Sequence, residues 1–136
     1  MHTTNYFETF IEASADCPVR QAEIPELKND GKTVAFLQYE MIKDHPYVYT
    51  SDDVIFSVHA LRNHIAEAIL LPERDLFFSK SQPCLRSSPL VKRYGWGIHN
   101  NDDGKVAIYA IESSEYRAFC EDRTLRHEQG MRSSRK

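Results

Sequence analysis

The sequence predicts an α+β fold: a single domain with a mostly antiparallel sheet of about four strands and helices packed on one face. Three observations lead to this prediction. The chain has 136 residues, which suits one hydrophobic core. A β-hairpin signature lies near residue 100, and several segments of helical periodicity begin directly after a helix-capping residue.

Two strands are predicted in the first half of the chain. Residues 6–12 are rich in aromatic and β-branched side chains, which favour strands. Residues 54–60 alternate between apolar and other side chains, which is the period of a half-buried strand. The positions expected to face the core are Val54, Phe56, Val58 and Ala60. Asp52 and Asp53 are expected as turn residues that start this strand.

The clearest predicted unit is the β-hairpin. Residues 96–99 and 105–111 carry strand-forming side chains on either side of the turn-rich residues 100–104. A loop of this length that contains a glycine is typical of hairpin connections. The two hairpin strands must pair antiparallel, which favours the α+β class.

Five helices are predicted from capping residues and prolines that precede helical periodicity. They span 34–43 after Thr33, 64–71 after Asn63, a segment to about Lys80 with Pro72 in its first turn, 90–94 after Ser88 and Pro89, and 115–122 after Ser113 or Ser114. The domain is therefore expected to cover residues 1–122. Residues 123–136 are basic and poor in apolar side chains, so a flexible tail is expected there.

Composition excludes several classes of protein. The apolar fraction is 41%, with only 5 Gly and 6 Pro, so collagen-like and wholly disordered chains are excluded. No apolar run approaches the ~20 residues of a membrane-spanning helix, and the first residues do not resemble an export signal. The three cysteines are odd in number and widely separated: Cys17, Cys84 and Cys120. We therefore expect a cytoplasmic protein with no membrane partner.

The net charge of −3 conceals blocks of opposite sign. Residues 1–75 carry −7 (6 basic, 13 acidic) and residues 76–101 carry +4 (4 basic, no acidic). Residues 102–122 carry −4 (2 basic, 6 acidic), and residues 123–136 carry +4 (5 basic, 1 acidic). An acid-free window in a chain with 20 acids indicates a surface suited to an anionic group.

The predicted binding region lies in this acid-free window. Its cations can pair with a phosphate or carboxylate, a helix starting at Ser88 would direct free N–H groups toward an anion, and aromatic rings could stack on a flat ligand. The expected ligand-binding residues are Lys80, Arg86, Ser88, Lys92, Arg93, Tyr94, Trp96 and His99. The alternative is a structural charge network in which Arg86 pairs with Asp52 or Asp53.

Three functional hypotheses follow. The first is a small cytosolic domain that binds an anionic small molecule. The second is an enzyme acting on such a molecule, in which Cys84 is the nucleophile and His99 its base. The third, less favoured because the body of the chain is acidic, is a nucleic-acid or protein interaction module. It rests on a loose similarity in element order to small α+β domains of the YjbR-like group.

No cofactor or metal site is expected. His45, His59 and His99, taken with Asp52 and Asp53, lack the short spacing of metal-binding motifs. Phosphate-loop and dinucleotide-binding glycine motifs are also absent from the sequence. The sequence makes no prediction of oligomeric state.

Two strings of residues carry a family resemblance: Cys84–Leu90 and Lys92–His99, which read CLRSSPL and KRYGWGIH. Shorter strings extend the likeness along nearly the whole chain, at 1–7, 37–42, 49–54 and 77–80. With these residues the chain resembles a family of small uncharacterised cytosolic proteins of bacteria and fungi, classed as a domain of unknown function. The resemblance implies membership and no reaction, because that family has no assigned activity.

Overall fold

Helices and strands follow one another without a regular alternation. The computed structural model describes residues 1–29 and 31–133. The strands are β1 (Thr9–Glu12), β2 (Trp96–Asn100), β3 (Val106–Ala110) and β4 (Arg126–Gln129). The helices are α1 (Val34–Lys43), α2 (Ser51–Arg62), α3 (Leu70–Phe77), α4 (Pro89–Lys92) and α5 (Ser114–Glu121), with short 3-10 helices at Glu67–Ile69 and Leu85–Ser87. These elements confirm the predicted α+β class.

The four strands form one mixed sheet in the order β3-β2-β1-β4. The predicted hairpin is confirmed as β2 and β3, with Ile98 opposite Ile108. β1 pairs antiparallel with β2, so that Phe10 lies opposite His99. β4 pairs parallel with β1 and makes the sheet mixed at this edge. None of the helices in residues 1–29 and 31–133 is long and apolar enough to cross a membrane.

Three of the predicted helix caps are confirmed. In each, a side-chain hydroxyl accepts a backbone N–H of the first turn at 3.1 Å, which satisfies a donor that the helix leaves unpaired. The caps are Thr33 for α1, Ser88 for α4 and Ser113 for α5. These helices therefore begin where local sequence predicts.

The strand predicted at residues 54–60 is wrong, because these residues lie in α2. Thr50 and Asp53 form a capping box: the Thr50 hydroxyl accepts the N–H of Asp53 at 3.1 Å, and the Asp53 carboxylate accepts the N–H of Thr50 at 3.0 Å. Asp53 also lies 2.9 Å from the guanidinium of Arg74. The polar residues taken as the start of a strand are therefore the N-terminus of a helix.

The alternation in this segment has another cause, which is burial of α2 on two sides. Val54 belongs to the main core beside the sheet, whereas Phe56 and Ala60 pack in a second cluster with Phe78. A helix covered from two directions buries positions two apart. The apolar period of two was consequently misleading about secondary structure, although the apolar residues are buried as predicted.

The predicted start of the helix over residues 64–71 is also wrong. Asn63 is the C-cap of α2, and its side-chain amide donates to the carbonyl of His59 at 2.8 Å. The next helix begins with the 3-10 turn at Glu67–Ile69 and continues as α3, with Pro72 in its first turn as predicted.

Helices cover both faces of the sheet, so the prediction that they pack on one face is wrong. Ile11 and Ile98 share the main core with residues of α1, α2 and α4. Phe10, whose side chain is on the opposite face, stacks on Phe119 of α5 with ring centroids 5.1 Å apart. Neighbouring residues of a central strand are both fully buried here, which requires a cover on each face.

The sheet continues past the domain boundary predicted at residue 122. β4 lies inside the segment expected to be a flexible tail. There the backbone N–H of Arg126 donates to the backbone carbonyl of Glu8, and that of Gly130 donates to the backbone carbonyl of Glu12. The last residues of the basic run predicted to fray, 134–136, lie outside the described residues. Backbone pairing explains how a strand with few apolar side chains joins the sheet.

Candidate functional site

The structure divides the predicted binding residues among several places. Lys92, Arg93 and Tyr94 line one concave surface near the end of α4. Of the others, Ser88 and Trp96 are buried, Arg86 contacts the edge strand of the sheet, His99 lies on the opposite face of the sheet, and Lys80 is exposed after α3. Other residues that the fold places beside Lys92, such as Lys28 and Arg62, come from distant parts of the chain.

We call this concave surface the basic pocket. Its volume is about 360 Å³, and four cations line it: Lys28, Arg62, Lys92 and Arg93. Neither Asp nor Glu occurs among its described lining residues. No described carboxylate forms an ion pair with any of these four side chains. The pocket is therefore a concentration of positive charge that an anion could neutralise.

The N-terminus of α1 opens into the basic pocket. Thr33, Val34 and Ala35 line its wall, and α1 has no acidic residue in its first turn. The first N–H groups of a helix have no acceptor within it, and its dipole places positive charge at this end. Both effects add to the attraction of the four cations for an anion.

Tyr94 and Trp96, the two aromatic residues expected to stack on a ligand, have different environments. Tyr94 is half-buried and lines the basic pocket. Trp96 is 7% exposed, packs on Tyr39 and donates its indole N–H to the carbonyl of Glu23 at 2.8 Å. Only Tyr94 is therefore placed beside the basic pocket.

Arg86 holds the edge strand of the sheet. Its Nε donates to the carbonyl of Gln129 at 2.7 Å, and Nη1 lies 3.6 Å from Glu128. The carbonyl of Arg86 accepts the N–H of Met131 at 2.7 Å. The structural partner of Arg86 is thus β4, instead of Asp52 or Asp53.

Ser88 and Lys80 are also separate from the cations of the basic pocket. The Ser88 side chain is buried, donates to Oε1 of Gln38 at 2.5 Å and caps a helix of four residues. Lys80 is exposed shortly after the end of α3 and does not line the basic pocket. Neither residue is positioned to share an anion with Lys92.

Cys84 and His99, the candidate nucleophile and base, are not brought together. Cys84 lies beside Tyr6, with the thiol 3.5 Å from the phenol oxygen. His99 projects from β2 toward α5, where it stacks on Phe119 and its Nδ1 lies 2.8 Å from the hydroxyl of Tyr47. Because the sheet separates these environments, the base proposed for Cys84 is wrong.

A second pocket adjoins the basic pocket, and we call it the thiol pocket because Cys84 lines it. Its volume is about 510 Å³. Its polar lining includes His59 on α2 and the amide side chains Gln38, Asn63 and Gln82. Val34, Arg62, Ser87 and Pro89 line both pockets, so the two cavities share a wall.

Sequence reasoning missed Lys28 and Arg62, and it considered His59 only as a metal ligand. Reading residues 54–60 as a strand placed His59 in the wrong element; a helical reading from Thr50 would have put His59 and Arg62 in its last turn. The position of Lys28 has no local signal, because it reaches the basic pocket through a loop preceding α1. Only the packing of this loop against α4 brings it near Lys92.

The described residues provide no group of three or more His, Cys, Asp or Glu side chains that could hold a metal ion. His59 and His99 lie in the separate environments given above, and Nδ1 of His45 contacts the carbonyl of Met41. All three cysteines are free thiols.

Comparison with known proteins identifies a family without a reaction. No curated protein and no solved structure matches the chain. A family model described as a family of unknown function, DUF6157, matches residues 1–136. The chain therefore belongs to the family of unknown function DUF6157.

Proposed function

We propose that this protein binds a small anionic ligand, through a phosphate or carboxylate group, in the basic pocket. The observation that carries the proposal is the convergence of four cations on one cavity without a described acid among its lining residues. Arginine can engage such a group through two parallel hydrogen bonds, and lysine adds a compact charge. The proposal keeps the cytoplasmic location predicted from the sequence.

The site differs from the one expected from the sequence alone. Lys92, Arg93 and Tyr94 remain in it, whereas Lys28 and Arg62 replace Lys80 and Arg86. A volume of about 360 Å³ suits one charged group with part of a small molecule. The start of α1 supports the same chemistry but is secondary to the cations.

The test is titration of the protein with inorganic phosphate by calorimetry, with ionic strength held constant by sodium chloride. We expect Arg62→Gln and Lys92→Gln each to weaken phosphate binding by about tenfold, because each removes a charge-assisted interaction. Lys80→Gln is the matched control, since it removes an exposed positive charge outside the pocket. Its phosphate affinity should equal that of the parent protein.

Two results would contradict the proposal. One is equal thermal stability in phosphate and in chloride together with no heat of binding. The other is equal loss of phosphate affinity in Lys80→Gln and Arg62→Gln, which would indicate general charge attraction. A third result would favour the interaction module instead. The parent would slow the migration of single-stranded RNA or DNA in a gel without binding phosphate, and Lys92→Gln would lose this effect.

A further inference from the structure

The basic pocket and the thiol pocket adjoin each other and share a wall. Val34, Arg62, Ser87 and Pro89 face both cavities. An anion held by Arg62 would therefore lie next to the thiol pocket. Any larger ligand anchored by its anionic group can extend its uncharged part into that second cavity.

Three amide side chains in the thiol pocket are held by the protein at one end. Oε1 of Gln38 accepts the Ser88 hydroxyl, while Nε2 donates to no described residue. The amide nitrogens of Gln82 and Asn63 donate to the carbonyls of Phe77 and His59, at 2.8 Å each. Nδ2 of Asn63 also lies 3.3 Å from Nδ1 of His59. This arrangement leaves the amide nitrogen of Gln38 and the side-chain oxygens of Gln82 and Asn63 for a ligand.

Aromatic and aliphatic side chains line one side of the thiol pocket. The rings of His59 and Phe77 pack with centroids 4.5 Å apart, and Ile55 and Val58 complete this side. A pocket of about 510 Å³ that combines an apolar side with a few oriented polar atoms is typical of small-molecule sites. A planar ring that both donates and accepts hydrogen bonds can pair with the amides at its edge and pack its faces against the apolar side chains.

We propose that the two pockets form one site for a nucleoside phosphate, with the phosphate in the basic pocket and the base in the thiol pocket. This inference rests on the proposed anion binding and extends it to the rest of the ligand. The cations supply charge neutralisation, the amides contact the edge of the base, and the apolar walls pack on its faces. Cys84 lies in the wall of the thiol pocket, so a bound base covers its thiol.

The experiment compares inorganic phosphate, ribose 5-phosphate and the four common ribonucleoside monophosphates by calorimetry. We expect at least one nucleotide to bind about tenfold more tightly than ribose 5-phosphate, since the base adds contacts that the sugar phosphate lacks. Asn63→Ala and Gln82→Ala should reduce that advantage severalfold without changing phosphate affinity. Gln21→Ala removes an exposed amide outside both pockets and serves as the matched control.

A second readout uses the thiol of Cys84. In a protein carrying Cys17→Ser and Cys120→Ser, the preferred nucleotide should slow alkylation of Cys84 severalfold, whereas inorganic phosphate should not. Phosphate binding without any nucleotide preference over ribose 5-phosphate would overturn this inference and leave the proposed anion binding intact. Failure of every phosphate compound to bind would overturn both. The affinity ratio decides the outcome even if Cys84 reacts slowly in the free protein.

Discussion

Oδ1 of Asp52 accepts two hydrogen bonds from Thr4, one from its backbone N–H and one from its hydroxyl, both at 2.7 Å. Its other oxygen accepts the hydroxyl of Thr3 at 2.7 Å. Asp52 and Thr4 are 4% and 5% exposed. The first turn of α2 thus binds the N-terminal segment. Both oxygens of the Asp52 carboxylate are engaged in hydrogen bonds within the fold.

Asp52→Ala is expected to lower the free energy of unfolding by about 2–4 kcal/mol, because it leaves the Thr4 donors buried without their acceptor. Urea denaturation measures the change. Asp75→Ala, at an exposed position of α3, is the control and should stay within about 0.5 kcal/mol of the parent. Equal losses in the two variants would show that the buried hydrogen bonds of Asp52 contribute nothing.

Arg86→Ala is expected to loosen β4. The side chain is one-third exposed, so its contacts with Gln129 and Glu128 are worth about 1 kcal/mol. Amide hydrogen exchange at Arg126 and Gly130 should become roughly fivefold faster, with β2 unaffected. Phosphate affinity should not change, because Arg86 lies outside the basic pocket. Weakened phosphate binding with unchanged exchange would reassign Arg86 to the ligand.

His99 is expected to make stability depend on pH. Burial lowers its pKa below the ordinary value, although the carboxylate of Asp122 acts in the opposite direction. The unfolded chain then takes up the proton at a higher pH than the folded protein. This contribution to stability is fully present above about pH 6.5 and is lost as pH falls through the lower, folded pKa.

Urea midpoints at about pH 7.5 and pH 5 measure this effect. The parent should lose more stability on acidification than His99→Gln, which has no ring to protonate. His45→Gln is the matched control, because it removes an exposed histidine and should behave like the parent. The assignment fails if His99→Gln loses as much stability between the two pH values as the parent does.

Gly97→Ala is expected to destabilise the sheet face under α5. A Cβ at this position would lie 2.6 Å from Cζ of Phe10 and 2.6 Å from Cε2 of Tyr116. Both rings are buried, so relieving these contacts should cost about 1–3 kcal/mol in thermal or urea unfolding. Ala118→Ser, at an exposed position of α5, should change stability by less than about 0.5 kcal/mol. A Gly97→Ala protein as stable as the parent would mean that α5 can move away freely.

Local chemistry explains the elements that the sequence predicts correctly. Thr33, Ser88 and Ser113 satisfy helix donors within three residues of themselves, and the turn-rich loop closes β2 on β3. Such features need no distant partner. Lys92, Arg93 and Tyr94, which the sequence analysis proposed as ligand-binding residues, lie together because they are consecutive at the end of one short helix.

Distant packing decides the remainder. Residues 54–60 have the apolar pattern of a strand. The cluster around Phe78 buries a second side of α2, so a helix with two buried sides has the same pattern. β4 depends on backbone pairing and on Arg86, some 40 residues earlier in the chain. Lys28 and Arg62 join Lys92 only because a loop, α2 and α4 meet. The charge blocks along the chain therefore predicted where positive charge is concentrated in the sequence. The folded geometry decides which cations lie together, since electrostatic attraction acts through space and not along the sequence.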